Sequence, residues 1–199
     1  MADINTNTFW NELEQEMWDE VALLVISILM SGVEGGVSAL PDRAQPFIDF
    51  ENLNSSVLEF ARKYRFEWIK DITDVTRTKT IEAITNWMRS GSPLEVLVEA
   101  LTPLFGESRA ERIAITEVTR LFAKGNQMAW EATGIVNSVK WMTVRDDRVC
   151  EICEPLDGTI IGIGDIDAMP PAHVRCRCYT QPVLDDKAFE DKLDEILGL

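Results

Sequence analysis

His173, the single histidine of this 199-residue chain, lies in Pro170-Pro171-Ala172-His173-Val174-Arg175-Cys176-Arg177-Cys178, beside two of its four cysteines. The other two stand upstream in Cys150-Glu151-Ile152-Cys153. Every thiol and imidazole of the chain thus falls within residues 150–178. A C-x2-C pair on a tight turn can grip one side of a tetrahedral metal ion, and a second pair on a distant segment can close it. Such a site supplies folding free energy to a β element too small to have a core of its own. Two disulfides, or a redox dithiol, are the alternative uses of the same cysteines. Disulfides belong to oxidising compartments, and no secretory signal opens the chain. A redox C-x2-C should open a helix in a βαβ context, which Glu154-Pro155 disfavours.

Five donors compete for four places around a structural Zn²⁺. The preferred set is Cys150, Cys153, His173 and Cys176, with Cys178 as the alternate fourth ligand. Side chains at 176 and 178 point to the same side if that segment is extended. Three thiolates, a neutral imidazole and Zn²⁺ leave one negative charge, which the flanking Arg148, Arg175 and Arg177 are placed to offset. A catalytic zinc keeps an open position and usually has more His or carboxylate ligands. There is no H-E-x-x-H, and no H-x-E paired with P-C-x-x-C. The site reads as structural, and no catalytic residue is assigned.

The elements that position these donors fall into two regimes. Up to about residue 133 the pattern is helical, with Gly and Pro confined to the expected breaks GVEGG, LPDRAQP, SGSP and FGES. A capped helix is expected within 6–21, a core helix over the apolar run Val21–Val33, and further helices at Asn54–Asp71 and Asp74–Arg89. Ser92-Pro93-Leu94-Glu95 opens another, with Ser at the cap and Pro in the first turn. Glu107–Thr133 is the clearest helix. Its Ala110, Ile113, Ala114, Val118, Leu121, Phe122, Gly125, Met128 and Ala129 form one apolar stripe. Glu117 lies on that stripe, so its carboxylate must find a partner, with Arg120, Arg112 and Arg109 the candidates. Glu117 and Arg120 are accordingly read as structural polar residues. After Gly134, Ser138–Val144 reads as a strand, Asp157-Gly158 as a hairpin turn between apolar runs, and CRCYTQPV as a last strand ended by Pro182. The final segment is a short amphipathic helix with Phe189, Leu193, Ile196 and Leu197 on one side.

The expected fold is therefore α+β and mainly α: an N-terminal helical body, a small β-rich, zinc-ribbon-like Cys/His module and a short C-terminal helix. The composition supports a real core, since 46% of residues are hydrophobic. The net charge of -15 is uneven. Residues 1–60 carry one Arg and eleven acids, while residues 61–149 carry fourteen basic and twelve acidic side chains. A globally acidic chain repels nucleic acid, and the acidic ends are either solvated or matched to a charge-complementary partner. The longest uncharged run is thirteen residues, short of the roughly 20 that span a bilayer, so no membrane association is expected.

WMTVRDDRVCEICEPLDGTIIG…MPPAHVRCRCYTQPV resembles the C-terminal domain of phage head-morphogenesis proteins, the minor head proteins of the Mu F-like kind. The shared pattern is a Trp-bearing strand, D-x-R-V-C-x-x-C, L-D-G and P-x-H-x-x-C-R-C. Upstream, RAERIAITEVTRLFAKGNQMAWEATGI is similar to the family helix R-A-x-x-I-A-x-T-E, although Ile115 stands where Arg is frequent. The resemblance covers residues 75–184 (helices over 75–133, the Cys/His module over 137–184). It leaves 1–74 as a helical region without an assignable motif and 185–199 as an acidic C-terminal helix. Some relatives carry a fused toxin or enzyme domain after this module, and none is expected here. The resemblance implies a non-enzymatic minor capsid protein in the procapsid interior, made in the host cytoplasm. It implies assembly at the portal protein and a part in DNA packaging or delivery. The major capsid and scaffolding proteins are the other candidate partners, and direct DNA contact is left open. It also implies that the cysteines and histidine are zinc ligands. A zinc-ribbon nucleic-acid binder and a metal-dependent hydrolase are the competing readings. The binder would need a basic face, and residues 150–184 hold two Arg against five acids.

Overall fold

The computed structural model describes residues 25–64, 74–165 and 168–198. Helix α1 occupies 25–39 and buries Val25, Ile28, Leu29 and Val33, the apolar run expected to form a core helix. The helix expected within 6–21 lies outside the described residues. The GVEGG break does not occur, because α1 runs straight through Gly32, Gly35 and Gly36. Those glycines face helix α6 (Val118–Glu131), and Gly32 and Gly125 leave no room for a side chain on either. Close helix contact overrides the propensity cost of mid-helix glycine.

A 3-10 turn at Gln45–Phe47 leads to α2 (Phe50–Lys63). This helix begins four residues before the expected Asn54 because Asp49 caps it, accepting from the Asn52 N–H at 3.0 Å. It ends at Lys63, since Tyr64 is already extended. Helix α3 (Asp74–Ser90) stops at Gly91, whose φ of 60° suits glycine. In α4 (Leu94–Phe105) the residue at the N-cap is Pro93, while Ser92 instead accepts from the Ser90 hydroxyl. Helix α5 (Glu107–Glu111) passes through a π-helical segment (Arg112–Glu117) into α6, and Gly134 follows with a φ of 68°.

Three antiparallel strands follow, in the order β2-β1-β3: β1 is Val136–Met142, β2 Ile160–Gly162 and β3 Tyr179–Leu184. Asp157-Gly158 does turn the chain, but a 3-10 turn at Glu154–Leu156 precedes it where an apolar strand was expected. Strand β2 pairs with β1 instead. Pro182 does not end β3. It sits within it, opposite Val139, which an edge strand tolerates. Helix α7 (Asp186–Leu197) is capped by Asp185, and its Phe189 packs edge-on against Phe47 at 5.3 Å. The rest of its expected apolar side faces solvent, with Ile196 63% and Leu197 61% exposed.

The architecture is α+β and mainly α. One core joins α1, α2, α3, α4 and α6 to β1 through Leu29, Leu53, Ile84, Leu97, Leu121, Trp130 and Val139. Trp130 also donates its indole N–H to the Gly36 carbonyl at 2.9 Å. A second, smaller cluster contains Trp141, Cys153, Cys176 and Cys178.

Candidate metal centre

The first pair of donors hangs from a turn that β1 and the Asp157-Gly158 turn hold in place. The Asp157 carboxylate accepts from the Thr143 N–H at 2.9 Å, its hydroxyl at 3.0 Å and Arg145 at 3.1 Å. The Gly158 N–H donates to the Trp141 carbonyl at 2.8 Å. Between these anchors, Cys153 and Glu154 both donate backbone N–H groups to the Cys150 carbonyl, at 3.0 and 2.9 Å. That turn brings the two thiols to one side.

The second limb is a turn as well. The Cys176 N–H donates to the His173 carbonyl at 3.1 Å, and Arg175, between them, has a φ of 65°. Cys176 and Cys178 precede β3 rather than lying in it, yet both are buried. Arg177 joins the limbs by a bidentate pair to Asp146 at 2.6 and 2.7 Å. Its hydrogen bonds hold the Asp146 carboxyl down at about 2.

The donors converge on Cys153. His173 Nε2 lies 3.0 Å from Cys150 Sγ and 3.1 Å from Cys153 Sγ, and Cys153 Sγ lies 3.7 Å from Cys176 Sγ. The donor atoms of Cys150, Cys153 and His173 are within 4.8 Å of one another, as are those of Cys153, Cys176 and Cys178. All four cysteines are free. Either group could hold a metal ion, and the 3.7 Å between Cys153 and Cys176 is close to the edge of about 3.8 Å of a tetrahedron with bonds of about 2.3 Å. His173 Nδ1 lies 2.7 Å from the Val174 carbonyl, an acceptor for a proton on that nitrogen, and the ring turns Nε2 towards the sulfurs. The Cys153 N–H pulls the Cys150 thiol down to about 7, towards the thiolate that binds metal, whereas burial pushes Cys153 and Cys178 up. The indole of Trp141, 1% exposed, packs among these sulfurs, and its N–H eases the upward push on Cys178.

The flanking arginines also carry ion pairs of their own. Arg148 and Arg177 are paired with Asp146, and Arg175 with Glu111. They line the cleft over the donors, and since Arg148 and Arg177 share one carboxylate, three guanidiniums meet two carboxylates and one positive charge is left there.

Glu117 is 17% exposed, at the end of the π-helical segment. It accepts from the Arg120 guanidinium at 3.3 Å and from the Tyr64 hydroxyl. Burial, and then the Glu117 charge, push the Tyr64 pKa well above its ordinary value. Tyr64 escaped the reading of the sequence because 53 residues separate it from Glu117. The pairing of Arg175 with Glu111 was equally invisible. Only the sign of the two charges could have suggested it.

Among the described residues no helix is long and apolar enough to cross a membrane. The family model described as Phage Mu protein F like protein matches residues 78–181. No curated protein and no solved structure matches the chain significantly.

Proposed function

Because the chain belongs to the family of Phage Mu protein F-like proteins, we propose that it is a minor head protein of a tailed phage or prophage. It acts in procapsid assembly at the portal, with the packaging or delivery of DNA as the process served. Its role is non-catalytic. The observation that carries this reading is the convergence of His173 and the four cysteines, distant in sequence, on the short loops beside β1. Those loops contribute three cysteines to a four-residue buried cluster with Trp141 of β1, so a bound Zn²⁺ would supply the missing stabilisation. Cys150, Cys153, Cys176 and either His173 or Cys178 would hold it.

In this reading the helical body carries most of the contact with a head component. The metal-ordered loops fix how β3 and α7 are presented to it. The segregated charge, acidic at both ends and nearly neutral between, would steer association and set orientation more than add affinity.

Two measurements test the proposal. Metal analysis after gel filtration should find about one zinc per chain; a full complement of disulfides and no metal would sink that part. A pull-down should retain the portal protein on wild type and lose it on a Cys150→Ser, Cys153→Ser variant whose helices remain folded. Retention of DNA at physiological salt, with no affinity for any head protein, would instead favour the nucleic-acid reading.

A further inference from the structure

Among the residues through which the Cys/His loop meets the helical body, Arg175 has an unusual backbone. Arg175 is the third residue of the His173–Cys176 turn and has a φ of 65°, while Val174 before it is not in the positive region. That pattern is a type II turn, whose third position favours glycine. An arginine there is strained, and such strain persists only where the surroundings over-determine it. The surroundings here are Glu111. Arg175 donates Nε–H to its Oε2 at 2.7 Å, and its terminal nitrogen reaches both carboxylate oxygens. Glu111 is only 17% exposed and is the last residue of α5 before the π-helical segment. A forked guanidinium on a half-hidden carboxylate fixes direction as well as distance.

We propose that Arg175 and Glu111 are positioning residues for the metal centre: the pair clamps the His173–Cys176 turn onto α5 and so holds two donors in ligating geometry. The inference rests on the metal reading given above. It adds that metal affinity depends on a carboxylate of the helical body that is not itself a ligand. By reciprocity, metal binding tightens the start of the long helix. Groups that orient ligands from outside the donor set typically govern affinity by about 10–100-fold.

The test uses the full chain and Zn²⁺, with dissociation constants from competition against a chromophoric chelator. Arg175→Gly is the decisive variant, because glycine relieves the backbone strain while removing the pair. If Arg175 were present only to build the turn, Arg175→Gly would bind zinc as tightly as wild type or tighter. As a clamp, its loss and that of Glu111→Gln should each weaken binding about 10–100-fold. The charge-exchanged Glu111→Arg, Arg175→Glu protein should recover part of it. Hydrogen exchange gives a second readout: zinc should slow exchange over residues 107–117 in wild type and leave it unchanged in Arg175→Gly. Zinc binding by wild type with equal affinity in Arg175→Gly and Glu111→Gln overturns the inference alone. A wild type that takes up no zinc overturns the metal reading and this inference with it.

Discussion

Replacing Gly125 by alanine should separate α1 from α6. A methyl group at Gly125 would sit 2.9 Å from the Gly32 Cα and 2.9 Å from the Val33 nitrogen, and closer still to the Leu29 carbonyl. All three neighbours are backbone, so no rotamer change relieves the clash and the helices must move apart. Overpacking of this kind costs about 1–3 kcal/mol, and rigid backbone on both sides places it near the upper end. Alanine returns about 1 kcal/mol of helix propensity, leaving a net loss of about 2 kcal/mol. For a chain of this size that is a fall in Tm of about 4–8 °C. Gly35→Ala is the control on the same face of the crossing. Its methyl group would meet the Phe122 ring at 2.9 Å and the Asn126 amide oxygen at 3.2 Å, both side-chain atoms. Phe122 is 40% exposed and can swing away, so the propensity gain should survive and Tm should hold or rise slightly. Thermal unfolding followed by circular dichroism, with wild type and both variants side by side, decides it. A Gly125→Ala protein melting with wild type, or a Gly35→Ala protein losing as much as Gly125→Ala, would refute the close crossing.

Cys153→Ser should cost more zinc affinity than Cys150→Ser or Cys178→Ser, because Cys153 alone belongs to both donor groups; a chelator competition series ranks them. Glu117→Ala should lose about 1–3 kcal/mol by removing the carboxylate that accepts from the Tyr64 hydroxyl and Arg120, and Glu117→Gln should lose less; urea unfolding measures both, and equal midpoints would remove the argument. Tyr64 has its pKa raised by burial, so its contribution is intact below its ordinary value of 10.0 and is lost as pH rises beyond it. An absorbance titration at alkaline pH should show a late phase, coincident with unfolding, that Tyr64→Phe abolishes. The Ala188 N–H, followed by the Asn137 side chain, holds the Asp185 carboxyl below its ordinary value of 3.8. Its cap on α7 is therefore present above that value and lost as pH falls through the lower folded value. Protection of the α7 amides, taken relative to their intrinsic exchange at each pH, should fall in acid in wild type but not in Asp185→Asn, which caps at any pH.

The gathering of His173 and the four cysteines was legible because thiols and imidazole are scarce and their spacing is restrictive. The sharing of Cys153 between two donor groups was not, because it depends on how two turns face each other in space. The helical regime was legible from periodicity, and the glycines within α1 were misread for a physical reason: their local cost is visible in sequence, while the helix they accommodate lies about 90 residues away. Pro182 was misread in the same way, as a terminator, because nothing local distinguishes an edge strand from a central one. Asp49, by contrast, is an ordinary cap signal before Phe50 that a stricter reading would have used.

The three-stranded sheet has a bearing on life at high concentration. Sheet edges invite strangers, because an unpaired row of amides and carbonyls templates another strand. Here β2 offers only three residues, and β3 carries Pro182 in its middle, so a donor is missing along the outer edge where an incoming strand would need one. Crowded against its own copies, such a protein resists growing into fibres through its sheet. Among the described residues, side chains and helix surfaces offer a partner more than the sheet edges do, and such contacts can be selective where backbone pairing is open to any chain.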